Sequence, residues 1–194
     1  MEKLQIVHGS TNEPTGLILN RAEAIANKAW CRSTNVFVLN AQGHVLCHRR
    51  SEEKERLPGV WSTHLGGHVN ESETYETNAL KEIEEEAGIV ADKSELLAWR
   101  TSPIEHARLW VRDFVLFRDL PVHQFVPQEG EVDEFQWMHV GEIIERATKQ
   151  PDIWCAGTHD FRIEYACMRA VFTTAHSLGV VELPKTLHNV HPFF

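Results

Sequence analysis

The chain has 194 residues, 42% of them hydrophobic, with six tryptophans, which is enough to bury a proper core in a single domain. A net charge of −9 disfavours a broad nucleic-acid surface but leaves room for a local basic pocket around an anionic small molecule. No apolar run nears the roughly 18 residues of a membrane span, and residues 1–10 lack a signal peptide's apolar region, so a cytoplasmic protein away from membranes is expected.

Residues 4–7 and 17–19 flank Thr11-Asn12-Glu13-Pro14-Thr15-Gly16 and read as a short N-terminal β-hairpin, followed by a short helix over 21–28. Residues 35–39 and 44–49 make a second hairpin around Asn40-Ala41-Gln42-Gly43. A loop through Pro58 and Gly59 leads to a helix that stops at Gly88, and strands follow over 96–101, 109–117 and 134–138. Helices are expected over 140–148 and 159–178. Thr158 would cap the second, with Asp160 in its first turn and Phe161, Tyr165, Met168 and Phe172 as its apolar stripe. This mixture of strands and helices is α/β. It is expected to form one domain over 1–194, with residues 1–30 and 150–194 as extensions. Cys31, Cys47, Cys155 and Cys167 have no metal-like spacing and read as reduced core thiols.

Between Gly67 and Ile89 the chain reads GHVNESETYETNALKEIEEEAGI. At about 3.6 residues per turn, Glu82, Glu85 and Glu86 stand at i, i+3 and i+4 and project from one helix face. Leu80, Ile83 and Ala87 fall on another stripe, whose burial would hold the acids at the edge of a core. Because Gly88 ends the helix, the carboxylates crowd the negative end of the macrodipole, where each is unfavourable by about 0.3–1 kcal/mol. A chain shaped by stability alone would carry lysines there. A divalent cation removes the objection, since hard Mg2+ or Mn2+ prefers carboxylate oxygens.

This segment resembles the Nudix box: Gly, five residues, Glu, seven residues, Arg-Glu, an aliphatic residue, any residue, Glu-Glu, any residue, Gly, aliphatic. Gly67, Glu73, Glu82, Ile83, Glu85, Glu86, Gly88 and Ile89 match at the right spacing, and Lys81 stands where the family has arginine. Lys81 lies one turn before Glu85 and can pair with it as a point charge, without arginine's bidentate fork. The resemblance implies a Nudix fold, a mixed β-sheet sandwiched between helices. It also implies Mg2+- or Mn2+-dependent hydrolysis of a diphosphate joined to another moiety, by a metal-activated water. Glu82, Glu85 and Glu86 are the implied cation ligands, with the carbonyl of Gly66 or Gly67 as a further one. Glu85 or Glu86 would help deprotonate the water, and Glu73 would stabilise the loop.

Upstream, RRSEEKERLPGVW resembles the Nudix branch that contains isopentenyl diphosphate isomerase and related hydrolases. Arg49, Arg50 and Lys54 in this stretch are candidates for holding diphosphate oxygens that the cation leaves free, and Trp61 is expected to pack beneath the loop. The isomerase requires a cysteine where this chain has Gly66, and an acidic pair on a later strand where this chain offers Asp113 alone. Hydrolysis is therefore favoured over isomerisation. The family also draws a further glutamate from a loop before a late strand, for which Glu131 fits best and Glu129 next. A nucleoside-diphosphate-like small molecule is the expected partner, with prenyl or thiamine diphosphates behind it. A homodimer is compatible with this reading, and so is a sensor that binds without cleaving.

Overall fold

The computed structural model of the protein describes residues 2–155, 158 and 161–179. Strands β1 (Lys3–Val7) and β2 (Pro14–Asn20) form the expected N-terminal antiparallel hairpin, and α1 (Arg21–Ala26) follows it. The main sheet contains β3 (Cys31–Leu39), β4 (Val45–Arg50), β5 (Trp61–Ser62), β6 (Leu97–Ile104), β7 (Leu109–Phe117) and β8 (Val132–Met138). Its order is β5-β4-β3-β7-β6, with β8 paired to β4. The helices are α2 (Tyr75–Ala87), α3 (Val140–Lys149) and α4 (Phe161–Ser177).

Successive strand residues point to opposite faces, and both faces of this sheet are buried. Val36 and Val38 of β3 pack with Phe114 and Leu116 of β7 beneath Ala79, Ile83 and Ala87 of α2. Phe37, Leu39 and Val115 pack on the other face against Ile143 and Ala147 of α3 and Phe161, Tyr165 and Met168 of α4. The sheet is thus sandwiched between helices. Fully burying a side chain such as Ile83 contributes about 1.5–3 kcal/mol, so the apolar stripe of α2 anchors the helix that carries the acids.

The second hairpin differs from its expectation. The Asn40 turn forms as read, with the Asn40 carboxamide oxygen accepting from the Gln42 and His44 amides. Beyond Leu39↔Val45, however, the two strands part. β4 runs along β8, and β3 runs parallel to β7 over its whole length. The free edge of β3 is filled by the loop before α2. Val36 and Leu65 exchange amide hydrogen bonds of 2.7 and 3.0 Å, and the Thr34 amide donates to the Gly67 carbonyl at 2.9 Å. Backbone groups of a buried strand need partners, and here the loop supplies them in place of β4.

Helix α4 carries the expected buried Phe161, Tyr165 and Met168. His159, Asp160 and the side chain of Phe172 lie outside the described residues. The Tyr165 hydroxyl donates to the Gly43 carbonyl at 2.7 Å, tying α4 to the Asn40 turn. Tyr165→Phe is expected to lower stability by about 1 kcal/mol in a urea melt, the usual worth of one such bond, without changing catalytic rate. Among the described residues, no helix is long and apolar enough to cross a membrane.

Candidate active site

Local chemistry builds the site around α2. Thr74 caps the helix, exchanging hydrogen bonds with Thr77 in a reciprocal box. Just before it, the Glu73 carboxylate accepts from the Asn70 amide at 2.9 Å. The helix ends at Gly88, whose φ is 66°. With Ile83 and Ala87 in the core, Glu82 and Glu86 sit at its edge and Glu85 faces outward, its side chain 48% exposed.

The glycines set how closely the loop approaches these acids. The Gly66 amide donates to Glu86 Oε2 at 3.1 Å. A Cβ on Gly67 would lie 2.7 Å from the Glu82 carboxyl group, so the absence of a side chain lets Glu82 lie against the loop. The Gly67 carbonyl accepts from the Thr34 amide and the Ser33 hydroxyl, both at 2.9 Å. With that oxygen engaged twice, Gly66 is the better candidate for a backbone ligand.

Burial makes these carboxylates costly to ionise. Desolvation first, and then the neighbouring Glu82 and Glu131, pushes Glu86 up to about 8 against the opposing Gly66 hydrogen bond and Arg50. Glu82 is likewise raised to about 7, mainly by burial, with Lys81 opposing and Glu85 adding. At Glu73 burial also pushes upward, but hydrogen bonds from Asn70 and Asn78 and the charge of Lys81 outweigh it, leaving the group below its ordinary value. Lys81 reaches further than its expected partner: its ammonium lies 3.6 Å from Glu73, 3.9 Å from Glu82 and 3.7 Å from Glu85. A point charge bridges all three where a fork would favour one.

The remaining residues divide. Lys54 forms an ion pair with Glu131, whose charge is felt at Glu86. Arg50 donates to the Leu57 and Arg56 carbonyls at 3.2 and 3.0 Å, bracing the loop before β5, while its charge also reaches Glu86. Arg49 is engaged by an acidic trio, Glu52, Asp133 and Glu134. Glu129 is exposed, and Trp61 packs on Trp154 with ring centroids 6.1 Å apart. Asp113 is 1% exposed, paired with Arg100 and accepting from Asn35 at 2.9 Å.

Among the described residues, no three histidine, cysteine or acidic side chains converge into a ready cation cage. Three carboxylates at one helix end repel, and Glu85 turns toward Lys81. The donor set nevertheless suits a hard cation: buried carboxylate oxygens beside a glycine loop. One residue that the motif did not reveal joins these parts. Asn78 is fully buried inside α2 and hydrogen-bonds Glu73, Glu82 and Thr34. Its signal in the sequence is a poor helix former four residues before a box glutamate.

Comparison with known proteins bears on this site. A family model described as the NUDIX domain matches residues 30–155, a span that opens just before β3 and closes before α4. The Nudix hydrolase YfcD of Salmonella typhi is 32% identical over 127 residues, 66% of this chain and 67% of YfcD. An isopentenyl-diphosphate Delta-isomerase of Corynebacterium glutamicum is 24% identical over 138 residues, 62% of this chain and 68% of the isomerase. In fold, the chain is similar to DR0079 of Deinococcus radiodurans, with a TM-score of 0.66 at 21% identity, covering 76% of this chain and 90% of that one.

Proposed function

The chain belongs to the Nudix family and is a Nudix-type hydrolase, and from that premise we propose that it cleaves a nucleoside-diphosphate-like or other organic diphosphate with Mg2+ or Mn2+. The observation that carries this reading is Glu86, 8% exposed and raised to about 8 by its burial and then by Glu82 and Glu131. A fold would not keep two such carboxylates at a helix C-terminus for stability. Glu82, Glu86 and the Gly66 carbonyl would hold the cation, with Glu85 able to join them. When bound, the cation neutralises phosphate charge and makes a coordinated water acidic enough to attack phosphorus.

The chain's own groups do the rest. Glu85, its side chain half-exposed and charge-paired with Lys81, takes the proton of the attacking water as the phosphorus–oxygen bond to the leaving phosphate breaks. Glu131, held by Lys54, adds negative charge beside Glu86 and strengthens the demand for a cation. Of the three basic residues upstream of the box, Lys54, paired with Glu131, and Arg50, whose charge reaches Glu86, are the better candidates for phosphate contact. Arg49, bound to three acids, is the weakest candidate for phosphate contact.

The isomerase relative raises a second reading. Two observations weigh against it: Gly66 stands where its cysteine would be, and Asp113 is buried and tied to Arg100 and Asn35. A panel of diphosphate compounds with Mg2+ or Mn2+, with products identified by mass, tests all readings together. Hydrolysis predicts cation-dependent cleavage that Glu85→Gln lowers by about two orders of magnitude, the scale of one lost acid–base group. Tight binding without cleavage would instead identify a sensor. Double-bond migration in isopentenyl diphosphate would identify an isomerase.

A further inference from the structure

Asn78 is 0% exposed and occupies none of the fixed positions of the box, yet more of the site's geometry converges on it than on any box glutamate. On one side, the Thr34 hydroxyl of β3 donates to Asn78 Oδ1 at 2.6 Å. On the other, Asn78 Nδ2 lies 2.9 Å from the His68 carbonyl, 3.0 Å from Glu73 Oε2 and 3.2 Å from Glu82 Oε1. Those three oxygens can only accept once the acids are ionised, so the amide nitrogen must face them. A carboxamide nitrogen has two hydrogens, and three acceptors share them. Glu73 also draws on the Asn70 amide and side chain, whereas Glu82 has Asn78 as its hydrogen-bond donor. Glu82 is therefore the partner that most depends on this amide.

We infer that Thr34 and Asn78 form a positioning pair that sets the box carboxylates for the cation. Thr34 satisfies the amide oxygen from the sheet, and Asn78 splints the loop at His68 and Glu73 while holding Glu82 beside Gly67. Neither side chain touches substrate. The inference rests on Glu82 being a cation ligand. It predicts a loss of cation affinity when the pair is broken, because a ligand that loses its orienting partner typically weakens metal binding by about 10–100-fold.

Mn2+ binding, followed by the electron paramagnetic resonance of the free ion without substrate, tests this on Thr34→Val, Thr34→Ser and Asn78→Ala. Thr34→Val keeps nearly the same shape and removes the hydroxyl, so the fold should survive. It is expected to raise the Mn2+ dissociation constant about tenfold, Asn78→Ala by more, and Thr34→Ser hardly at all. Wild-type Mn2+ affinity in a folded Thr34→Val and Asn78→Ala, with only a lower melting temperature, would reduce the pair to a structural role. If the wild-type protein itself binds no Mn2+, the cation reading of the box fails first and takes this inference with it.

Discussion

Replacing Glu86 with glutamine is expected to make the cation-free protein more stable at alkaline pH while abolishing nearly all of its hydrolytic activity. In the unfolded chain Glu86 titrates near its ordinary value of 4.5, whereas burial, then Glu82 and Glu131, raise it to about 8 in the fold. The folded state therefore holds a proton that the unfolded state releases. Its stabilising effect is complete below about pH 4.5 and is lost as pH climbs through about 8. Each pH unit between the two titration points corresponds to about 1.4 kcal/mol, and coupling to Glu82 makes the two groups less than additive, so a gain on the order of 2–4 kcal/mol is expected near pH 9. For a chain of this size that is about 2–4 °C in Tm per kcal/mol. Glutamine still accepts from the Gly66 amide, so the loop keeps its seat.

The same substitution should cut hydrolysis by about two orders of magnitude or more, since on the proposed reading it removes a carboxylate that holds the cation, and the cation is what neutralises phosphate charge in the transition state. Melting curves from about pH 5 to pH 9, with Mn2+ and with a chelator, make both points at once. Wild-type protein should lose stability with rising pH in chelator and recover it with Mn2+, whereas Glu86→Gln should show a flatter profile and a smaller response to the ion. Parallel profiles for the two proteins would mean that the buried carboxylate is not held under the stress described.

The crowding of the acids was legible from spacing, because i, i+3, i+4 placement and a terminating glycine are local facts that survive folding, whereas the burial that contributes most to raising Glu86 comes from the fold. The apolar stripe of Ile83 and Ala87 was legible for the same reason, and so was the Asn40 turn. What the sequence concealed lies in long-range pairing. β3 finds its partner in β7, with Asn35 beside Asp113, and its other edge in the Leu65–Gly67 loop. Nothing in residues 35–49 marks that choice over a plain hairpin. The basic residues were ambiguous in a similar way: Arg49, Arg50 and Lys54 share one stretch, but Asp133 and Glu134 of β8 and Glu131 from the turn before it arrive to claim two of them. Asn78 escaped notice because the box pattern treats its position as free, while its partners come from β3, the loop and the helix together.

The loop's seat on β3 yields the second large effect, a contrast between adjacent glycines. Gly66→Ala is expected to destabilise the protein by about 3 kcal/mol or more, and Gly67→Ala to leave it folded but impaired. At Gly66, φ is 147°, and a Cβ would lie 2.0 Å from the Thr34 carbonyl oxygen and 2.8 Å from its carbon. Both are backbone atoms of a central strand. They cannot move without breaking the β3–β7 ladder, so the loop must lift, taking with it the Leu65 pairing with Val36 and the Gly66 amide that holds Glu86. At Gly67 the obstacle is the Glu82 carboxyl group at 2.7 Å, the far end of a flexible side chain. Glu82 can swing aside, which preserves the fold and takes the proposed ligand from its place. Urea denaturation should therefore separate Gly66→Ala from the wild type, while Mn2+ affinity and hydrolysis should separate Gly67→Ala from it by about 10–100-fold. Equal stability of Gly66→Ala and wild type would show that the loop is not seated on β3. Undiminished Mn2+ binding in Gly67→Ala would show that Glu82 is no ligand, which would leave Glu85, Glu86 and the Gly66 carbonyl to hold the ion.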